Sequence, residues 1–305
     1  MGAADVVPGV SGGTIAFISG IYQELIDSIN KIDLKTILSV RKNGIKATWA
    51  ALNGNFLLAL ISGIFISILT FSKVITFLLD NHPILVWSFF FGLVLASILL
   101  IWKQITHWKY YSLFALLLGT FVSYYITIAK PVASPDSLPY LFLSGFVAII
   151  AMILPGVSGA FILLLMGSYQ TVIGTINQFR EGIASFNMEI LGQAMIKLMT
   201  FAVGAILGLK LFSKILHWMF AHHKNTTLAV LIGFMIGSLN KIWPWKQVLE
   251  TRLNSHGEVV PFLEKSVLPQ HFEGNPQIIG AIVMMLFGFI LIVGLEKIAA
   301  KLGKN

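Results

Sequence analysis

The chain has 305 residues, of which 56% are hydrophobic and only 11% are charged, with a mean hydropathy of +0.84 and a net charge of +8. Soluble domains carry roughly 25% charged residues, so this composition excludes a water-soluble globular protein and indicates helices that span a membrane. The absence of cysteine excludes disulfides, cysteine-ligated zinc and thiol chemistry. Basic residues fall mainly between apolar segments, which indicates membrane topology and contact with anionic lipids rather than nucleic-acid binding.

One peptide occurs twice in the chain. The first copy, PGVSGGTIAFISGIYQ, begins at Pro8, and the second, PGVSGAFILLLMGSYQ, begins at Pro155. Ten of the twenty residues in windows 4–23 and 151–170 are identical, which indicates an internal duplication. A long apolar segment precedes only the second copy, so we expect the sequence to begin inside its first membrane element.

Six apolar segments are long enough to cross a bilayer, since about 30 Å of hydrocarbon requires about 20 apolar residues in a helix. Three of them follow the first copy of the peptide and three follow the second. The predicted spans are 55–72, 84–102, 110–129, about 194–217, 226–243 and 278–295.

The apolar segment 138–168 has a different form. Its 31 uncharged residues would make about 46 Å of helix, which is too long for one span and too short for two. Pro155, Gly156 and Gly159 interrupt it near its middle, because proline lacks a helical donor and glycine permits other backbone conformations. We therefore predict a re-entrant hairpin whose turn lies inside the bundle beside a polar space.

Further matches show that the duplication extends beyond the two peptides. The tripeptide Phe-Ser-Lys occurs at 71–73 and again at 212–214, and Gly63 and Gly204 precede its two copies at equal distances. Each half is thus predicted to be one hairpin followed by three spans, which gives the two halves opposite orientations. The predicted fold is an all-α polytopic membrane protein of two inverted repeats, 1–130 and 131–305, with the first hairpin truncated.

Lysine and arginine are distributed unevenly between the two predicted sides. Thirteen lie on the side that holds 24–53, 103–109, 210–224 and the C-terminus, and eight lie on the other. The positive-inside rule places the first side in the cytoplasm. The basic amphipathic segment 31–46 is predicted to contact anionic lipids there.

Inverted repeats with interrupted helices that meet near the membrane midplane are typical of alternating-access transporters. Each helix after a turn would direct N–H groups and the positive end of its dipole toward a bound anion, with hydroxyls as further donors. We predict an oxyanion site with phosphate as its ligand; alternatively, the small residues only allow close helix packing. The predicted binding residues are Pro8, Gly9, Val10, Ser11, Gly12, Gly13, Thr14, Pro155, Gly156, Val157, Ser158 and Gly159.

Three lysines are further candidates for contact with the anion. Lys210 and Lys214 are four residues apart on one helical face, and Lys73 is the equivalent of Lys214 in the first half. Buried lysines in membrane proteins usually have a function, but lysines near span ends also extend toward the headgroups. Both interpretations remain open for these side chains.

Asp5 is the acidic residue close to a turn, and we predict that it couples transport to protons; a cap at the start of the chain is the alternative. Tyr22 and Tyr169 end the two peptides and are candidates for ligand contact or for interfacial anchoring. We predict no metal and no cofactor.

The paired motifs resemble those of the bacterial polyprenyl-phosphate transporter family. The peptides GAADVVPGVSGGTIAFISGIY and PGVSGAFILLLMGSY carry this resemblance, which covers essentially the whole chain. The resemblance implies return of undecaprenyl phosphate from the outer to the inner leaflet of the bacterial cytoplasmic membrane, with turn residues 8–14 and 155–159 implicated. A protein groove is required physically, because a bare phosphate in hydrocarbon costs on the order of tens of kcal/mol.

Two other functions remain open from the sequence. The turns also resemble those of undecaprenyl-diphosphate phosphatases, but Gly12 and Gly159 stand where such enzymes have arginine, and the predicted spans contain no paired glutamates. Without such groups little would drive hydrolysis, so we predict that the protein is not an enzyme. A small-anion transporter or channel is the second alternative, since the sequence alone does not require a lipid tail.

Overall fold

The computed structural model describes residues 1–2, 11–131, 135, 137–253 and 259–302. Most of these residues are helical, as predicted for a polytopic α-helical protein. The helices of the first half are α1 (Gly12–Ile18), α2 (Tyr22–Lys31), α3 (Leu34–Leu38), α4 (Val40–Ala51), α5 (Gly54–Asn81), α6 (Pro83–Trp102) and α7 (Tyr110–Ile128).

The second half contains six helices and a β-hairpin among the described residues. The helix predicted to break at Pro155-Gly156 does so, because α8 ends at Ile153 and α9 begins at Gly159. The elements are α8 (Leu138–Ile153), α9 (Gly159–Leu165), α10 (Tyr169–Ala184), α11 (Met188–His222), α12 (Lys224–Ser238), β1 (Lys246–Leu253), β2 (Val259–Ser266), a short 3-10 turn (Pro269–His271) and α13 (Ile278–Leu302).

Four described helices are long and apolar enough to cross a membrane, or up to five if the bent pair α9 and α10 forms one span. These four, α5, α6, α7 and α11, correspond to four of the six predicted spans, to within one residue at the end of α7. The predicted span 226–243 is too long, because α12 ends at Ser238. Just beyond it, the Asn240 side chain donates to Thr127 Oγ1 and the Asn240 carbonyl accepts from Ser266 Oγ.

The two peptide copies have the same backbone after their turns. Helices α1 and α9 are each seven residues long and begin at equivalent glycines. Both end in the same set of hydrogen bonds, followed by Gly20 with φ 75° and Gly167 with φ 68°. Glycine adopts this left-handed conformation without steric cost, which explains why both copies carry it. Helices α9 and α10 are bent by 107° at this point.

Two helix pairs, α6 with α13 and α7 with α12, make extensive contacts. At the first crossing Gly92 lies against the backbone of Met285, and at the second Gly233 lies against the backbone of Leu116. A β-carbon at either glycine would overlap the facing chain, so both helix pairs depend on glycine for their close approach.

The partner helices contribute glycines in the same pattern. Gly288 of α13 faces the carbonyl oxygen of Phe89, and Gly119 of α7 faces that of Val230. Phe89 and Val230 are equivalent positions of the duplication, as are Gly92 and Gly233. The two crossings therefore share one contact pattern.

The β-hairpin is a difference from the predicted all-α fold. Strands β1 and β2 pair antiparallel, with Lys246 opposite Ser266. Two tryptophans join the segments that flank the hairpin, because Trp243 Nε1 donates to the Val267 carbonyl and Trp245 Nε1 to the Pro276 carbonyl, each at 2.8 Å. The buried Trp245 packs against the ends of α6 and α13. The hairpin thus covers one end of the helix bundle.

Candidate functional site

The two copies of the peptide meet in the structure. Thr14 Oγ1 accepts a hydrogen bond from the backbone N–H of Gly156 at 2.8 Å. Ser11 Oγ donates to the Met152 carbonyl at 3.0 Å and accepts from the N–H of Gly13 at 3.1 Å. The Ser11 and Thr14 side chains are 2% and 1% exposed, so both hydroxyls are committed to this contact. We refer to this contact between 11–14 and 152–156 as the motif interface.

Close backbone packing supports these hydrogen bonds. A β-carbon at Gly13 would lie 2.5 Å from the carbonyl oxygen of Ile153, so only glycine fits there. The same carbonyl accepts from the hydroxyl of Tyr22 at 3.2 Å, and the Tyr22 ring packs edge-on against Phe17. Tyr22 is therefore buried beside the motif interface, where its hydroxyl holds the second copy in place.

The second turn is described completely. Pro155 is buried, Gly156 has φ 88° and lies against Ser238 of α12, and Val157 is part of a buried apolar cluster. Ser158 precedes α9 without a side-chain cap, and a β-carbon at Gly159 would lie 2.7 Å from the Ala148 carbonyl oxygen. The two arms α8 and α9 therefore pack against each other on either side of the turn.

Part of the first turn lies outside the described residues. This applies to Pro8, Gly9 and Val10 and to the predicted coupling residue Asp5. Gly12 is described and buried at the start of α1.

The predicted lysines do not gather at the motif interface. Lys210 Nζ donates to the carbonyls of Ile29 and Asn30, at 3.2 and 3.0 Å, and so caps the C-terminal end of α2. Lys73 and Lys214 are exposed on α5 and α11.

A second contact joins the same two helices, α2 and α11. His217 Nδ1 lies 2.6 Å from Asp27 Oδ1. Tyr169, the remaining aromatic candidate, is partly buried at the start of α10.

A cluster that sequence reasoning missed lies beneath the β-hairpin. Lys241 Nζ is 3.2 Å and Lys246 Nζ is 3.6 Å from the same oxygen, Oε2 of Glu264. The ammonium of Lys246 also lies 3.8 Å from the ring centroid of Trp87, and that of Lys241 lies 4.6 Å from the ring of Phe161 in α9. In the sequence both lysines indicate only membrane topology, because neither adjoins the repeated peptide.

Comparison with known proteins identifies the family. The chain matches the family described as undecaprenyl phosphate translocase-like over residues 1–260. The chain belongs to this family. A Vibrio cholerae relative named "Polyprenyl-phosphate transporter" is 44% identical over 99% of this chain and 94% of its own length. A Staphylococcus aureus protein of the same name is 30% identical over 80% of this chain and 83% of its own length. No solved structure matches the chain.

These matches confirm the resemblance seen in the paired motifs. Together with the apolar helices, they show that this translocase-like family member is an integral membrane protein. A cavity of about 100 Å³ lies beside the beginnings of α8 and α10. Its polar lining comes from Ser137, Tyr140, Ser168, Thr171 and Lys197.

The lysine cluster predicts a pH dependence of stability. Burial lowers the pKa of Lys246 to about 8, although Glu264 opposes this shift. Burial acts to raise the pKa of Glu264, but the two lysines outweigh it and hold that pKa below its ordinary value. The carboxylate therefore stays ionised above neutral pH, and Lys246 titrates in this range.

We expect the free energy of unfolding to rise as pH increases from about 8 to about 10.4. In that window the unfolded chain still binds the Lys246 proton that the folded protein has lost, so deprotonation favours the folded state by up to about 3 kcal/mol. Melting temperatures of wild type and Lys246→Met in detergent, recorded from pH 7.5 to 10.5, test this. The melting temperature of wild type should rise relative to that of Lys246→Met across the window, whereas Lys265→Met on the exposed face of β2 should follow wild type. If the melting temperatures of wild type and Lys246→Met change with pH in parallel, Lys246 is not the source of the pH dependence.

Proposed function

We propose that this protein moves polyprenyl phosphates between the leaflets of the bacterial cytoplasmic membrane, from the outer to the inner, with the phosphate bound where the two motifs meet. Two relatives of the chain bear the name of polyprenyl-phosphate transporters. The observation that carries the proposal is the motif interface itself, in which Ser11 and Thr14 of one copy satisfy polar backbone groups of the other.

The donors of the motif interface are suited to phosphate. The N–H groups of Gly13 and Gly156 now donate to the hydroxyls of Ser11 and Thr14. A phosphate oxygen is a stronger acceptor than a hydroxyl, because hydrogen bonds to a charged partner are roughly twice as strong as neutral ones. In the proposed cycle the interface opens, phosphate oxygens take the place of the hydroxyl acceptors, and the hydroxyls rotate to donate to the ligand. The observed conformation is then the closed one.

Individual N–H and O–H groups, rather than helix dipoles, support this site. Helices α1 and α9 have only seven residues each, which limits the aligned dipole that either can direct at an anion. Among the other predicted ligands, Tyr22 is proposed to hold Ile153 and Lys210 to hold α2. Direct contact of phosphate with Lys73, Lys214 or Tyr169 and proton coupling by Asp5 stay predictions.

Inverted repeats of residues 1–130 and 131–305 provide the proposed route for alternating access. The matched crossings of α6 with α13 and of α7 with α12 support two equivalent halves. The break and bends around α9 support a re-entrant hairpin in the second half. Opening one hairpin and then the other would expose the motif interface to each leaflet in turn.

The proposed orientation places α2 and the end of α11 in the cytoplasm. Segments predicted on this side contact one another, since Asp27 binds His217 and Thr106 binds Asn225. Helices α3 and α4 lie on the same side and expose Ile45 and Trp49 beside basic residues. We propose that they rest on the membrane surface and contact anionic lipids.

Transport is favoured over phosphatase activity by the space around the turns. The enzyme alternative needs an arginine at the positions of Gly12 and Gly159. Gly159 lies too close to Ala148 for a side chain in this conformation, and Gly12 is buried. The described polar groups of the motif interface are instead uncharged hydroxyls, N–H groups and the carbonyls of Met152 and Ile153, none of which replaces that arginine.

Proteoliposomes that contain labelled undecaprenyl phosphate in one leaflet test the proposed function. Wild type should move the label across the bilayer and release no inorganic phosphate from undecaprenyl diphosphate. Thr14→Val keeps the side-chain shape but leaves the Gly156 N–H without its acceptor, so transport should fall about tenfold. Thr70→Val is the matched control, because Thr70 is exposed and its hydroxyl donates to the Ile66 carbonyl of its own helix. Absence of transport by wild type, or phosphate release at enzymatic rates, would refute the proposal.

A further inference from the structure

The cluster beneath the β-hairpin has an unusual distribution of charge. Two lysines, Lys241 and Lys246, share one carboxylate oxygen of Glu264, which leaves a net charge of +1. Side-chain exposure is 14% for Lys241, 7% for Lys246 and 20% for Glu264, so the charges are largely removed from water. An excess buried charge is costly unless a further anion compensates it.

Among the described residues, Lys246 has no hydrogen-bond acceptor. Its Nζ is buried and makes no hydrogen bond within the described part of the chain, since 3.6 Å to Glu264 Oε2 is too long for one. The ring of Trp87 attracts the ammonium but accepts no conventional hydrogen bond. A buried ammonium with unused donors indicates a place for acceptor atoms that another molecule supplies.

We propose that Lys241 and Lys246 form a binding site for a terminal phosphate dianion, and that Glu264 occupies this site as an internal counter-ion until the phosphate displaces it. Two ammonium groups that converge on one oxygen match a dianion with several acceptor oxygens better than they match a single carboxylate. Displacement of Glu264 leaves two positive charges against two negative ones, which removes the present imbalance.

The site lies next to the second hairpin. A cleft between the β-hairpin and α9 is lined by Thr127, Phe161, Leu164, Lys241 and Glu264. Phe161, over which Lys241 lies, occupies the position in the second copy that Thr14 occupies in the first. This cleft of about 10 Å³ therefore places Lys241 and Glu264 beside the helix that follows the second turn. The lysines would receive a phosphate before it reaches the motif interface, an assignment that rests on the proposed function.

The effect of Glu264→Gln separates a phosphate site from a structural ion pair. If Glu264 competes with the ligand, Glu264→Gln should tighten binding of inorganic phosphate about tenfold, whereas Lys241→Gln should weaken it about tenfold. Lys265→Gln is the matched control, because Lys265 is exposed and adjoins Glu264 on β2. Titration calorimetry of the purified full-length protein in detergent, with chloride at equal ionic strength as the reference, measures the dissociation constants.

Two results would overturn the site. The first is that Lys241→Gln binds phosphate with the same affinity as Lys265→Gln. The second is that Glu264→Gln folds but binds phosphate no more tightly than wild type does. If Glu264→Gln does not fold, the comparison of Lys241→Gln with Lys265→Gln decides alone. Lys241→Gln retains the pair of Lys246 and Glu264, so it should yield folded protein.

A second ligand identifies the source of the phosphate. If lipid headgroups bind here, the same substitutions should change the affinity for farnesyl phosphate, a short polyprenyl phosphate. Farnesyl phosphate should then also compete with inorganic phosphate for binding. If the substitutions change the affinity for inorganic phosphate but not for farnesyl phosphate, the site binds the free ion. Transport by wild type with unchanged binding in every variant would reject this site and leave the proposed function intact. If the substitutions change phosphate binding as expected but wild type transports no lipid, the phosphate site stands and the proposed function is rejected.

Discussion

Gly13→Ala is expected to reduce polyprenyl-phosphate transport more than tenfold, which is the largest functional effect we anticipate from a single methyl group. A β-carbon at this position would lie 2.5 Å from the carbonyl oxygen of Ile153 and 3.0 Å from that of Met152. Both neighbours are backbone atoms and cannot rotate away, so α1 must move from the second copy. That movement breaks the hydrogen bonds of Ser11 and Thr14 together.

The initial rate of lipid transfer in proteoliposomes, together with the melting temperature of the same preparation, measures this effect. Gly174→Ala provides the control, because Gly174 lies in α10 with no neighbour near its would-be β-carbon among the described residues. The control should keep wild-type transport and stability. If Gly13→Ala transports normally while folded, close contact between the two copies is not needed for function.

Some local features of this fold can be predicted because proline and glycine determine the backbone conformation at their own positions. Pro155 and Gly156 end α8 wherever the rest of the chain lies, and the left-handed conformations of Gly20 and Gly167 follow from the same chemistry. Duplication of the motif also indicated that the two turns share one site. Contact between 11–14 and 152–156 agrees with that expectation.

The closed state of the site could not be predicted in this way. A pattern of serine, threonine and glycine indicates donors, but it does not show whether a ligand or another part of the chain satisfies them. In the structure Met152 and Gly156 contribute backbone groups, which have no signature in the sequence. Lys210 illustrates the same limit, since its partners are the carbonyls at the end of α2.

The β-hairpin and its cluster were missed for a different reason. Residues 246–253 and 259–266 have mixed polarity and carry charges within both strands, so strict alternation of polar and apolar residues is absent. Lys246 and Glu264 are 18 positions apart in the sequence and approach only because the strands pair. Strand register, rather than any local motif, therefore creates the lysine cluster.

Gly92→Ala and Gly233→Ala are expected to destabilise the protein by similar amounts, about 3 kcal/mol each. At both positions the added methyl group would overlap a facing backbone, that of Met285 for Gly92 and that of Leu116 for Gly233. Because each helix pair can relax only by separating along its length, the loss of packing extends beyond the substituted residue.

Unfolding free energies in mixed detergent micelles measure the two effects. Gly63→Ala is the control, since the described residues leave open space around that helical glycine, whereas its equivalent Gly204 faces the Phe142 carbonyl. Gly63→Ala should therefore retain wild-type stability, and Gly204→Ala should not. Equal losses for Gly92→Ala and Gly233→Ala would support two equivalent halves related by the duplication. A loss at only one of them would show that the two crossings do not have equivalent roles, and the proposed alternating access of inverted repeats would lose its structural basis.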